Sequence, residues 1–201
     1  NLKGAQINAI EVSPHEPGVA YIAVAGYKMN DFEPYIYKLT DFGKRWMRLD
    51  SDLPDDNFVR VVRADPEREG LLYAGSESGL FVSFDDGDHW QSLNMNFPTV
   101  PITDLRVRQN TLIAATQGRG FWALDELTVI RQLNVNLSEK KLHVFKPKPS
   151  SLMRWGGRTA ANEGKNPPSG VVFSYFLAED FEGPLSICLL YTSDAADDTT
   201  G

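Results

Sequence analysis

One six-residue pattern occurs twice at a fixed distance. D-x-G-x-x-W spans Asp41–Trp46 and returns at Asp85–Trp90, with both ends of the two copies 44 residues apart. Between and around the copies lie short alternating apolar segments broken by Pro- and Gly-rich turns. A period of this length, filled with short strands, points to one antiparallel meander per repeat and to a β-propeller assembled blade by blade. A single unit of this kind cannot bury its apolar faces alone, so the repeats must stack.

The motif itself reads as a turn. An Asp carboxylate accepts hydrogen bonds from backbone N–H groups just ahead of it and holds a tight reversal. Gly43 and Gly87 supply the positive φ that such a reversal needs. Trp46 and Trp90, three residues on, then lie on the returning strand and pack between blades. Asp41, Gly43, Trp46, Ser83, Asp85, Gly87 and Trp90 are accordingly read as structural residues, not as metal ligands or catalytic groups.

Ser83-Phe84-Asp85-Asp86-Gly87-Asp88-His89-Trp90 resembles the Asp-box, or bacterial neuraminidase repeat. Leu39-Thr40-Asp41-Phe42-Gly43-Lys44-Arg45-Trp46 is a looser copy, with Leu39 in place of the usual Ser or Thr. Over residues 7–133 the chain resembles the Asp-box propellers of sortilin-like proteins and of some sialidase- and xyloglucanase-like glycoside hydrolases. In those families the boxes lie on the rim, away from the ligand site. The resemblance therefore implies a propeller more strongly than it implies sialidase chemistry. It also implies export, to the periplasm or outside the cell.

The expected fold is all-β: about three propeller blades, at 7–50, 58–94 and 101–133, within a segment spanning 1–149. The first blade is read as Ile7–Val12, Ala20–Val24, Tyr35–Leu39 and Trp46–Leu49. The second is Phe58–Arg63, Leu71–Ala74, Leu80–Ser83 and Trp90–Leu93. The third keeps Ile102–Val107, Thr111–Ala115 and Phe121–Leu124. Its Asp125 is followed by Glu126-Leu127 where the Gly turn would fall. Closed propellers have four to eight blades, so further blades are expected upstream, and blade edges left uncovered would promote aggregation. Residues 150–168, with Gly156-Gly157 and Pro167-Pro168, read as a linker. Residues 169–187 read as the start of a second, β-sandwich-like domain. Residues 188–201 resemble a translated sequencing adapter and are read as a non-native tail.

That tail bears on composition. The single cysteine, Cys188, lies in it, which leaves no disulfide or thiolate chemistry elsewhere. Formal charge is −7, and without Asp194, Asp197 and Asp198 it is −4. Such a mildly acidic chain lacks the basic face that nucleic acid requires. No apolar run reaches the length of a membrane span. His15, His89 and His143 have no metal-ligand spacing, and no cofactor motif is present. Gly75-Ser76-Glu77-Ser78-Gly79 places Glu where a nucleophile elbow needs Ser.

In a propeller, the loops between blades and those joining second to third strands share the face around the channel. They carry Asp55, Asp56, Glu77, Asp104 and Arg119. Arg119 sits in Gly118-Arg119-Gly120-Phe121-Trp122, similar to a Gly-Arg-x-Phe-Trp motif of the resembled family. A guanidinium there can fork onto a ligand carboxylate; the preferred reading is a tie between adjacent blades. Phe121 and Trp122 are read as blade core. Glycoside hydrolysis would need two carboxylates flanking one bond, and a sialidase would also want an arginine cluster that is not seen. The leading expectation is a non-catalytic binding or scaffold module for a protein, peptide or glycan. The alternative is part of a glycoside hydrolase whose carboxylates lie partly outside this segment.

Overall fold

The computed structural model describes residues 4–137, 139–150, 170–178, 183 and 186–187. The linker, the adapter-like tail and most of 179–187 lie outside the described residues. Two four-stranded antiparallel meanders come first. One is β1 (Gln6–Val12), β2 (Ala20–Gly26), β3 (Asp31–Thr40) and β4 (Arg45–Arg48). The next is β5 (Val59–Ala64), β6 (Leu72–Ser76), β7 (Leu80–Ser83) and β8 (Gln91–Ser92). A three-stranded sheet follows: β9 (Ile102–Arg108), β10 (Thr111–Thr116) and β11 (Phe121–Leu124). Every pairing is antiparallel, and in each sheet the first strand is an edge. The chain is thus all-β in plan, with the sheets packed face to face as propeller blades.

The middle blade explains the stacking. β6 and β7 are buried at every position, so both faces of this sheet must be covered. Val59, Val62, Leu72, Ala74, Phe81 and Trp90 form one apolar layer with Tyr21, Ala23 and Ile36 of the first blade. Val61, Tyr73, Leu80 and Val82 form another with Ile102, Leu105, Leu112 and Ala114 of the third. Gly75 permits the second approach: a Cβ there would stand 2.6 Å from Ile102 and 2.7 Å from Val61. Carbon atoms do not approach so closely, so a side chain at this position would push the blades apart.

Where a fourth strand would close the third blade, the chain forms a short helix, α1 (Leu127–Gln132). Leu127 and Ile130 enter the apolar layer between the second and third blades. The lost Gly turn is replaced by side-chain contacts: Asn110 Nδ2 donates to Glu126 (2.6 Å), and Thr128 Oγ1 donates to Asn110 Oδ1 (3.0 Å). β12 (Leu142–Val144) then pairs with β13 (Tyr175–Leu177), across the linker. β13 falls in the segment 169–187 that the sequence assigns to a second β unit; among the described residues its partner is β12.

The two motif copies fold differently. At the second, Ser83 Oγ takes the Gly87 N–H (2.8 Å), and Asp85 takes the His89 N–H (2.9 Å). Gly87 has φ 96° and lies against Leu49, where a Cβ would come within 2.8 Å. At the first copy Leu39 has no hydroxyl. Asp41 pairs with Arg45 (3.1 Å), and the turn runs through positive φ at Asp41, Phe42 and Gly43. Both copies still tie back to their own blade: Phe42 N–H donates to Gly18 O (3.0 Å) and Asp86 N–H to Gly70 O (2.8 Å).

Trp90 meets the expectation of an inter-blade residue: it is 4% exposed and donates to Leu49 O at 2.6 Å. Trp46 does not. It is 54% exposed, donates to Gly43 O in its own turn, and lies on a face of the first blade that no described element covers. Phe121 is also a correction. It is 80% exposed, because its side of β11, an edge strand, has no described neighbour. Trp122, one residue on, points the other way and packs edge-on against Phe97.

Candidate functional site

The first strands of the three sheets share one irregularity. Register slips between Ile7 and Ala9 in β1, between Val59 and Val61 in β5, and where Ala115 and Thr116 pair with Asp104 and Ile102 in β9. Each slip is a bulge holding one extra residue: Asn8, Arg60 and Thr103. The packing confirms it. Val59 and Val62, three apart, face the same neighbouring blade, as do Ile102 and Leu105. A regular strand brings residues two apart to one face, so the residue between is turned off the sheet edge. Asn8 and Arg60 are half-buried and Thr103 is exposed. The sequence offers Thr103 beside Asp104 at the start of the third inner strand, but Asn8 and Arg60 were missed. Its signal was a spacing of three between apolar residues: Ile7 to Ile10, Val59 to Val62, Ile102 to Leu105.

Arg60 is held on two sides. Its guanidinium lies 4.9 Å from the Phe58 ring centre, a cation–π contact. Nε donates to Glu77 Oε2 at 2.9 Å, and Nη2 approaches the same oxygen at 2.8 Å. Phe58 in turn stacks on Tyr27 (5.0 Å, 17°) and touches Phe32. Tyr27 comes from the β2–β3 connection and Phe32 from the start of β3, and both remain partly open to solvent. Behind them Asn57 Oδ1 accepts from the Ser78 N–H (3.0 Å), while its buried Nδ2 has no partner among the described residues.

The other candidates spread along this region. Asp104 is engaged with Arg63 (2.6 Å), which also donates to Leu105 O and reaches Glu11 (3.5 Å). Burial pushes the Glu11 carboxyl above its usual range, and Arg63 opposes that only in part. Asp55 and Asp56 are exposed in the β4–β5 loop, with no ion pair among the described residues. Arg119 is exposed on the β10–β11 turn. Its backbone contacts Thr116 and Trp122, but its guanidinium makes no hydrogen bond or ion pair among the described residues. It does not tie the described blades together.

At the opposite ends of the strands, Tyr21 and Lys38 of the first blade both donate to Asp86 of the second. They line a cavity of ≈ 330 Å³ with His15, Glu16 and Glu69. His15 Nε2 contacts Asp65 O at 2.8 Å. Nearby, burial raises Asp85, but the His89 N–H, the His89 ring and the Ser83 hydroxyl outweigh it and hold its pKa below the ordinary value. The hydrogen bond that the His89 ring donates to the Asp85 carboxylate, and the charge of that carboxylate, raise His89 in turn.

The signs fix a window. The contribution of Asp85 is present above the ordinary carboxylate range and is lost as pH falls through its depressed pKa. That of His89 is present below about 6.5 and is lost as pH rises through its elevated pKa. An NMR titration of the His89 ring protons is expected to give a pKa above the ordinary histidine value. Asp85→Asn is expected to bring it back; an unchanged midpoint would show that the pair does not form in solution.

No protein-family model and no curated protein matches this chain. Solved structures do show likeness. An ancestral GH74 enzyme aligns over 57% of this chain and 14% of its own, at 21% identity and TM-score 0.46. The GH74 xyloglucanase from Xanthomonas campestris aligns over 62% and 21%, at 20% identity and TM-score 0.47. YCF48 bound to D1 peptide aligns over 60% and 36%, at 18% identity and TM-score 0.42. The chain thus spans well under half the length of each of these proteins. At such identities the likeness concerns the fold, which the sheets establish independently.

Proposed function

We propose that this chain is a non-catalytic ligand-binding or scaffold part of an exported bacterial Asp-box propeller protein, sortilin-like in using its channel face for contact with a protein, peptide or glycan. The observation that carries this reading is the pairing of the candidate acids: Glu77 is ion-paired with Arg60, and Asp104 with Arg63. Hydrolysis of a glycosidic bond needs two carboxyl groups free to flank it. Export to the periplasm or the medium belongs to the same reading and rests on the family resemblance.

Asp55 and Asp56 favour a second reading. They are exposed and without ion pairs among the described residues, as acids of a glycoside hydrolase would be before substrate arrives. One assay separates the two. The chain is incubated with a β-glucan and with a sialoside, and both binding and product are followed. Saturable binding without product supports the binding module. Turnover that disappears in Asp55→Asn or Asp56→Asn would replace it with the hydrolase.

A further inference from the structure

We propose that the row of bulge residues, Asn8, Arg60 and Thr103, with Glu77 beside Arg60, is the recognition element of this face, and that its ligand is a neutral oligosaccharide. The inference rests on the binding-module reading and names its ligand class. Three observations carry it.

The first is placement. One bulge per blade, at the same register of each edge strand, turns a polar residue away from both apolar layers. Each bulge interrupts the pleat of an otherwise well-paired sheet. Bulges re-aim side chains and recur beside functional sites.

The second is charge. Arg60 is the only cationic residue of the row, and Glu77 neutralises it within the site. A phosphate or carboxylate ligand would have to displace Glu77 from that guanidinium. Both contacts converge on Glu77 Oε2. Glu77 Oε1 and Arg60 Nη1 are left without a partner among the described residues. An acceptor and a donor thus stand side by side, which suits a group that donates and accepts at adjacent atoms, as the vicinal hydroxyls of a pyranose do. The Asn8 amide likewise has no partner among the described residues, and Thr103 Oγ1 donates to Ala115 O at 3.1 Å, leaving its lone pairs free.

The third is the apolar wall. Tyr27 and Phe32 keep part of their rings open beside Phe58, against which Arg60 is stacked. A sugar ring presents a C–H face that can cover such rings while its hydroxyls meet the polar row. Ligand sites commonly combine an aromatic lining with a few placed polar groups.

The test is calorimetric titration of the full chain with uncharged hexasaccharides of glucose, mannose and xylose. Polygalacturonate and an acetylated, amidated Ser/Asn/Tyr peptide serve as the anionic and peptide probes. Saturable binding of at least one neutral hexasaccharide, and not of polygalacturonate, is expected. Asn8→Ala and the double variant Arg60→Gln/Glu77→Gln are each expected to weaken it by about tenfold, the loss of one or two good hydrogen bonds, with unchanged melting curves. Failure of every neutral sugar to bind, binding of polygalacturonate alone, or full affinity in both variants overturns the proposal. Binding of the peptide alone would overturn it too, yet leave the binding-module reading in place. Hydrolysis of a bound hexasaccharide would do the reverse.

Discussion

Replacing Arg131 by alanine is expected to cost the chain about 3–5 kcal/mol, a large part of a domain's whole stability. Arg131 reaches from α1 to Asp65, in the β5–β6 turn, with Nε 3.0 Å from both carboxylate oxygens. Asp65 is 0% exposed, and the Arg131 side chain is 9% exposed. The same carboxylate takes the N–H groups of Glu67 (2.9 Å) and Arg68 (3.0 Å) and the Tyr73 hydroxyl (3.3 Å). It therefore organises the turn of one blade and anchors the helix that closes the next. Removing the guanidinium leaves a buried carboxylate with its neutral partners only, and that penalty exceeds the net worth of the pair. Removal of both charges together is expected to be milder: Asp65→Asn/Arg131→Gln retains amide hydrogen bonding without a stranded charge. Urea unfolding followed by tryptophan fluorescence measures both. A loss below about 1 kcal/mol in Arg131→Ala, the range of an exposed pair, would mean that solvent reaches Asp65.

This pair marks the limit of what the sequence discloses. Asp65 opens the turn Asp65-Pro66-Glu67-Arg68-Glu69-Gly70, and nothing in the sequence around it or around Arg131 singles out either residue. Their contact joins residues 66 apart, and neither carries a local pattern that names the other. The strands were legible because the alternation of Ile7–Val12 and the short apolar run at Leu80–Ser83 are short-range signals, and the turns because Pro and Gly restrict the backbone wherever they stand. The helix at Leu127–Gln132 was not. It is six residues long, too short to show helical periodicity, and tertiary burial of Leu127 and Ile130 stabilises it. At the candidate site, Glu77 and Asp104 could be named from loop position, but their arginine partners could not. Arg60 stood inside a run read as a plain strand, and only the three-residue apolar spacing betrays the bulge that frees it.

The two motif tryptophans give the second large effect, as a contrast between equivalent positions. Trp90→Ala is expected to lower stability by about 3–5 kcal/mol, whereas Trp46→Ala is expected to cost less than about 1 kcal/mol. Trp90 fills the layer between the first and second blades, among Leu49, Leu53, Leu72 and Phe81. Its indole N–H donates to Leu49 O at 2.6 Å, so truncation leaves both a cavity and an unpaired carbonyl. Trp46 holds the same place in its own repeat, but it is largely exposed, with its ring edge-on to Tyr37 at 6.0 Å and its indole N–H on Gly43 O of its own turn. The same face of the sheet carries the exposed Ile10 and Val12. Ile10 and Val12 correspond, by strand register, to Val62 and Ala64, which the first blade buries. The motif therefore specifies where the ring stands, and the adjacent sheet determines its energetic weight. Thermal or urea unfolding of the two variants reads this difference directly. Equal losses would mean that in solution the Trp46 face is covered as thoroughly as the Trp90 face.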